Sequence, residues 1–487
     1  MLGIMKKIET YFILLCMSIF LLFISCYNED NLALDHEIEM IESNFLPRVI
    51  LKNDSSKIDI YQSMEKHKVK GLSIAVVQNG LIRWNKTYGM SNERDSVSTN
   101  TLFQAGSISK PVAALAILKL VNDKKVELDV DVDMYLKTWK LNRVDKNETE
   151  KVTIRRLLSH TAGISVSGFS GYSKDEKLPN LDEVLNGEAK SAKIEVIDVP
   201  GTNWNYSGGG YTVLQKVVED VTGMAFEKYV ETNVLKPFGM NNSKYYPIID
   251  ADSSNTSSGY VDGEILKEGW LYYPQPTAAG LWSTSTDLAK FCIEIQNIAQ
   301  NKTTDGIISK KLVSEMFKRT KNNWGLGFEL NGEGDSLVFQ HNGNTKGFTA
   351  SFKGFANSNN GVVIMTNSDM AENFIDEAIR TVSVYYDWGI SKPIMITSVK
   401  LTNDQLEKLV GDYEYEKEIP NVGKYIVKIK LIESTLYLVD GENKIKLTPT
   451  APNKFTLVEA GREIVFESEN DKIISYTMDN MFRFNKN

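Results

Sequence analysis

Ser107-Ile108-Ser109-Lys110 sets a hydroxyl and an amine three residues apart. On a helix that spacing is one turn, so the two side chains share a face. A serine hydroxyl is a weak nucleophile until a neighbour takes its proton, and a lysine at i+3 can do this or sharpen another base. Pro111 follows at once and suits the first turn of a helix, which leaves Ser107 at the helix N-terminus. Free N–H groups and positive potential at that end favour a developing oxyanion. Such a short motif recurs by chance, so its weight depends on what stands downstream. Tyr206 offers a phenol, and a phenol beside an ammonium becomes a stronger acid. His341-Asn342-Gly343 offers an imidazole followed by a residue with no side chain. Each has a plainer explanation when taken alone. Tyr206, near Trp204 and Tyr211, reads as a core aromatic, and His341 as an ordinary surface or core histidine.

In combination and in this order, FQAGSISK, VTIRRLLSHTAGI, PGTNWNYS, LKPFGM, PTAAGLWSTSTDLAKF and QHNGNTKGF resemble the serine β-lactamase and penicillin-binding superfamily. The likeness is to its class C-like branch, which includes D-alanyl-D-alanine carboxypeptidases, esterases and D-amino-acid peptidases, and it covers about residues 60–385. It implies an α+β fold, an antiparallel sheet flanked by helices with a helical subdomain. It also implies a serine hydrolase that forms a covalent acyl-enzyme on amides or esters, without a cofactor. Ser107 would be the nucleophile, and Lys110 and Tyr206 would handle its proton. His341 would face the carboxylate or carbonyl side of the substrate, H-x-G standing here for the family's K-T-G. Gly343 would let the strand approach the ligand closely. The backbone N–H groups of Ser107 and Asn344 would form the oxyanion hole.

The sequence departs from the family at one position. The tyrosine element is usually Y-x-N, with the asparagine contacting the substrate amide, and here the third residue is Gly208. The loss of that side chain shifts the expectation toward esters or atypical amides and away from an efficient β-lactamase. It also keeps open a different class of function, a non-catalytic binder of cell-wall fragments or proteins on the same fold. His160 resembles a family element with a structural role. Ser207 and Ser109 are neighbours of the site, and Ser109 is placed to hydrogen-bond Lys110. An α/β-hydrolase would need a G-x-S-x-G elbow, which the chain lacks, and a class A enzyme would need S-D-N, which is also absent.

Elements that could position these residues are legible in outline. GLSIAVVQNGLIRWNKTYG holds two strand-like runs joined by Asn79-Gly80, a dipeptide that accepts positive φ at both turn positions. TASFKGFANSNNGVVIMTN repeats the pattern around Asn359-Asn360-Gly361. Between the two hairpins, Pro111–Asp123, Thr212–Gly223 and Ser285–Ile298 show helical periodicity, as does ENFIDEAIRTVSVYYDWG after the second. Strands at both ends with helices between predict one domain closed by a mixed sheet. From about Leu401 the pattern changes to short strand-like runs (KYIVKIKLI, STLYLVD, KIKLTPT, KFTLVEA, EIVFES, KIISYTM), which predict a small all-β module, a barrel or curled sheet.

The 487 residues, 42% hydrophobic and 24% charged, have the balance of a globular protein. A net charge of -8 and the lack of any basic run argue against a nucleic-acid partner. The four histidines lie far apart and no CxxC or HxxxH occurs, so no metal site is expected. Lys6 and Lys7 precede an apolar run of 14 residues, Tyr11 to Ile24, too short to span a bilayer and suited to an export leader. Phe23-Ile24-Ser25-Cys26 resembles a lipoprotein box, so lipidation at Cys26 and a membrane-anchored protein on the periplasmic or outer surface of a bacterium are expected. With Cys16 in the leader and Cys26 lipidated, no disulfide framework remains, and Cys292 reads as a buried apolar residue. The expected organisation is therefore a leader (1–26), a tether (27–58), a hydrolase domain (59–392) and a β-rich domain (393–487). Substrate and oligomeric state are not legible at this level.

Overall fold

The computed structural model describes residues 32–53, 56–143, 150–245, 255–303, 306–419 and 423–487. The leader and Cys26 lie outside the described residues. Contacts divide the chain into two compact units, one of Met64–Ile375 and one of residues up to Ser63 with Asp376–Asn487.

The first unit is built on a six-stranded sheet. Its strands are β1 (Gly71–Gln78), β2 (Leu81–Gly89), β3 (Glu329–Asn331), β4 (Val338–Thr345), β5 (Phe348–Phe355) and β6 (Gly361–Thr366), in the spatial order β3-β4-β5-β6-β1-β2. The sheet is antiparallel throughout rather than mixed, because the two hairpins meet edge to edge, with Ile74 of β1 opposite Ile364 of β6. Both Asn79 and Gly80 adopt positive φ (54° and 79°), the conformation that a two-residue hairpin loop requires. β3 pairs only with Val338–Gln340 of β4, so within this sheet the rest of that edge, from His341 to Thr345, is unpaired.

Three helices matter to the site. Helix α1 (Ser109–Asn122) is buried from Ser109 through Leu118, as expected for SKPVAALAILKLVN, which is apolar on nearly every side. Helix α2 (Gly208–Thr222) starts at an N-cap, Ser207, whose hydroxyl accepts the Gly210 N–H at 2.9 Å, and it stops at Gly223 in the left-handed region. Helix α3 (Ser285–Ala299) lies on the sheet. Its Ser285 hydroxyl meets that of Ser73 at 2.7 Å, and Gln296 donates to the Phe355 and Asn360 carbonyls. Cys292 is buried on α3.

In the second unit, a helix over 32–42 buries Ile38 and Ile41. Val49–Leu51 pairs in parallel with Ile394–Ile396. From residue 32 on, the described part of the stretch read as a tether is therefore structured, and its three- and four-residue apolar spacing is masked in the sequence by Glu37, Glu39 and Glu42. The C-terminal part is a closed barrel of eight antiparallel strands: β7 (Gly411–Tyr415), β8 (Ile426–Ile432), β9 (Thr435–Asp440), β10 (Asn443–Ala451), β11 (Lys454–Leu457), β12 (Arg462–Glu469), β13 (Lys472–Met478) and β14 (Phe482–Lys486). Period-two alternation builds it: Val427 and Ile429 of β8 face inward, while Lys428 and Lys430 face out. The first and last strands, GDYEY and FRFNK, are short and polar, and their pairing with each other closes the barrel.

Candidate active site

Ser107 lies in a 3-10 turn, Gly106–Ile108, that leads directly into α1. From Thr101 through Leu118 it is the one residue that is not buried. The turn is seated against the unpaired edge of β4 by two glycines. Gly106 has φ 52°, and a Cβ there would sit 2.6 Å from the Asn344 nitrogen. A Cβ on Gly343 would sit 2.0 Å from the Ala105 carbonyl oxygen. The glycine of the H-x-G element thus admits the turn that carries Ser107. Ser109 completes the seat: its hydroxyl donates to the Gly106 carbonyl at 2.6 Å and accepts the Leu281 N–H at 2.9 Å. It does not bond Lys110, as had been expected; Tyr245 in turn donates to the Ser109 carbonyl at 2.6 Å.

Lys110 is 2% exposed, and its Nζ lies 3.1 Å from Ser107 Oγ. The same Nζ donates to the Ala278 carbonyl at 2.8 Å, which fixes the long side chain beneath the serine. It also stands 4.9 Å from the centroid of the Tyr206 ring. The structure therefore brings Ser107 and Lys110, on one segment, together with Tyr206 from a second, distant one.

Tyr206 is held by His160. The Asn205 N–H donates to the His160 carbonyl at 2.8 Å, and the Ser207 N–H donates to His160 Nδ1 at 3.0 Å. The imidazole itself packs on the Tyr206 ring, with centroids 4.4 Å apart. The residues on either side of the tyrosine, Asn205 and Ser207, are thus both tied to His160. Accepting at Nδ1 requires a ring unprotonated there, and the surroundings enforce it: burial, then the Lys110 charge, then His341 hold His160 well below the ordinary histidine range.

His341, on β4, is also buried. Its ring meets Trp324 at 5.5 Å and Tyr206 at 6.3 Å, and its Nδ1 lies 2.6 Å from the Asn342 carbonyl. Burial and the nearby Lys110 ammonium push it down to about 3. A neutral imidazole supplies no positive charge to a carboxylate, which separates this position electrostatically from a lysine.

A cavity of about 280 Å³ opens over Ser107 and Lys110. Phe169, Gly208, Tyr273 and Asn344 line it, with Lys346 at its side. Among the described residues, Tyr206 and His341 are not part of this lining; they belong to the aromatic cluster with His160 and Trp324. Gly208, the first residue of α2, is where the family has its asparagine. A Cβ there would come within 3.0 Å of the Phe169 ring and 3.2 Å of the Ser167 carbonyl. The volume is therefore filled from the opposite wall by an aromatic ring. Asn344 reaches away from the serine and donates to Glu372 at 3.0 Å, leaving its backbone beside the Ser107 turn.

A profile of the family described as Beta-lactamase matches residues 59–385, more than half of the chain. The chain belongs to the beta-lactamase family. Among curated relatives, Protein flp of Staphylococcus aureus (strain MRSA252) is 27% identical over 333 residues, 65% of this chain and 64% of that protein. The chain thus spans less than two thirds of the length of the flp relatives it matches. Penicillin-binding protein 4* of Bacillus subtilis (strain 168) is 23% identical over 449 residues, covering 85% of this chain and 93% of that one. The solved structure of the octameric penicillin-binding protein homologue from Pyrococcus abyssi aligns with TM-score 0.60 at 24% identity, over 88% of this chain and 98% of that one. At that identity the likeness bears on the fold, which is β-lactamase-like with a C-terminal barrel.

For a member of the beta-lactamase family, sequence reasoning missed three features: Gly106, Phe169 and the hold of His160 on Tyr206. Gly106 sits inside the FQAGSISK segment and carries a signal, since a glycine just before a helix start is the residue that accepts positive φ without strain. Phe169, in a run of Ser and Gly residues, carries none.

Proposed function

We propose that this chain is a serine hydrolase that works through an acyl-enzyme on Ser107, with small acyl esters and atypical amides as its substrates. One observation carries the reading: a solvent-reachable hydroxyl, set in a run of buried residues, has a buried lysine amine 3.1 Å away. Ser107 Oγ attacks the substrate carbonyl carbon, and its proton passes to the Lys110–Tyr206 pair. The oxyanion forms beside the Ser107 and Asn344 backbone N–H groups. The bond to the leaving group breaks, and that group departs with the proton. Water then attacks the ester on Ser107 by the same route and releases the acid.

The walls support the substrate class. Phe169, Tyr273, Ala278 and Ala279 offer apolar contact for an acyl group, and no side chain at position 208 is present to hold an amide. Export and lipidation at Cys26 are part of this proposal and would bring the pocket within reach of cell-wall peptides and their esters.

Intact-mass spectrometry of residues 27–487 after incubation with a fluorophosphonate and, in parallel, with benzylpenicillin tests the reading. The expected result is a rapid fluorophosphonate adduct that Ser107→Ala abolishes, with little or no penicilloyl adduct. Equal and fast labelling by penicillin would move the substrate class to cell-wall peptides and β-lactams. Labelling by neither reagent would overturn catalysis and favour a binding protein.

A further inference from the structure

The C-terminal barrel is packed at one end and hollow at the other. Leu406 and Leu409, on and just after the helix Asn403–Glu407, pack with Tyr413, Leu436, Phe455 and Phe466 in a solid plug. Elsewhere in the same barrel, Tyr415, Tyr425, Leu438, Leu457, Tyr476 and Phe484 line a cavity of about 620 Å³. Eight-stranded barrels either just fill with their own side chains or hold one small ligand. This volume falls in the range of small-molecule sites, roughly 300–1,000 Å³.

The polar groups on the cavity are few, and they differ in their state. Tyr425 donates to the Asp440 carboxylate at 2.5 Å, which commits the Tyr425 proton. Tyr476 is fully buried, and its hydroxyl has no hydrogen-bond partner among the described residues. An unmade hydrogen bond of this kind costs about 1–3 kcal/mol, so a hydroxyl left in this state points to an absent acceptor. Burial, and then Tyr425, Tyr413 and Asp440, push its pKa up, so it keeps its proton and is available as a donor. Three charged side chains line the cavity: the Asp440 carboxylate, held by Tyr425, and two cations, Lys444 and Arg462, both exposed at its rim. Arg462 is 3.7 Å from Asp479, while Lys444 has no ion pair among the described residues. A buried donor and two cations set against an apolar wall select anionic oxygens on an apolar body.

We propose that the barrel is a binding site for one apolar carboxylate of about the size of a medium-chain fatty acid. The tail occupies the space bounded by Leu438, Leu457 and Phe484, and the carboxylate accepts from Tyr476 and faces Lys444 and Arg462. This site is independent of Ser107, and the inference stands whether or not the chain is a hydrolase.

Isothermal titration of dodecanoate into the chain from residue 27 onward tests it. Saturable binding of one dodecanoate per chain is expected, with dodecanol binding more weakly. Tyr476→Phe and Lys444→Glu should each weaken dodecanoate about tenfold or more, as expected for hydrogen bonds to a charged group, and leave dodecanol unchanged. Leu438→Trp, which fills the cavity, should abolish binding, and far-ultraviolet circular dichroism would check that it keeps its fold. Lys444 is exposed, so its variant keeps the test decisive even if Leu438→Trp fails to fold. No saturable binding, or equal binding by a folded Leu438→Trp chain or by Lys444→Glu, overturns the proposal.

Discussion

Lowering the pH from 7 to 5 should weaken the hydrolase unit through its two buried histidines. Burial and the Lys110 charge push His341 down to about 3 and hold His160 well below the ordinary range. Both are neutral in the folded chain, whereas in the unfolded chain each takes up a proton below about 6.5. A folded value depressed below the unfolded one stabilises the fold above about 6.5, and that stability is lost as the pH falls. One pH unit below the unfolded value is worth about 1.36 kcal/mol, so the fall to pH 5 removes about 2 kcal/mol through His341, and His160, depressed in the same direction, adds to that loss. Urea unfolding followed by tryptophan fluorescence reads this directly, because the Trp204 and Trp324 rings lie 6.2 and 5.1 Å from the ring of His160. His341→Gln keeps a planar polar group that does not titrate, so the variant should lose about 2 kcal/mol less than the parent between the two pH values. Equal losses in both chains would refute the claim that His341 is held neutral. The same argument bears on kinetics: fluorophosphonate labelling of Ser107 should show no inflection near 6.5, where an ordinary histidine would titrate.

Substitutions at three positions probe the seat of Ser107 and its pocket. Gly343→Ala sets a methyl 2.0 Å from the Ala105 carbonyl, so strand and turn must part. Strain of this kind costs about 1–3 kcal/mol, and a lowered melting temperature together with slower fluorophosphonate labelling is expected; unchanged labelling would show that the turn tolerates the shift. Gly208→Asn alone should slow labelling, because its side chain meets the Phe169 ring 3.0 Å from Cβ. Gly208→Asn with Phe169→Ala should restore labelling and raise the penicilloyl adduct by about tenfold or more, the worth of a hydrogen bond to an amide in a dry pocket. No gain in the double variant would dissociate position 208 from amide recognition.

Much of the frame is legible in the chain because its signals are local. Asn79-Gly80 specifies its own turn, and alternating lysine and aliphatic residues specify the faces of β8. The spacing of Ser107 and Lys110 puts both on one side of a turn wherever α1 comes to lie. The missing parts depend on contacts between distant segments. GDYEY and FRFNK are too polar and short to be recognised as strands, and they are strands because β7 and β14 find each other to close the barrel. The helix over 32–42 is hidden by its acidic residues, since composition averages over faces that burial keeps apart. The barrel cavity has no sequence signature at all: inward positions alternate identically whether the interior is filled or hollow.

The three glycines of the site separate what sequence can express from what it cannot. Gly106, Gly343 and Gly208 are one residue type with three different neighbours. At Gly106 and Gly343 the missing Cβ lets two backbones touch, and the close contact sets the Asn344 nitrogen beside the turn that carries Ser107. Those positions are therefore geometric requirements of the Ser107 turn, and replacing either should damage any chemistry the serine performs. At Gly208 the missing side chain makes room for a ring instead. In the proposed hydrolase that position would govern which acyl compounds enter, since its neighbours are the Phe169 ring and the Ser167 carbonyl rather than Ser107 or Lys110. Reactivity and selectivity thus rest on different glycines, which is why the Gly208→Asn, Phe169→Ala pair can shift preference toward amides while Gly343→Ala can only reduce activity.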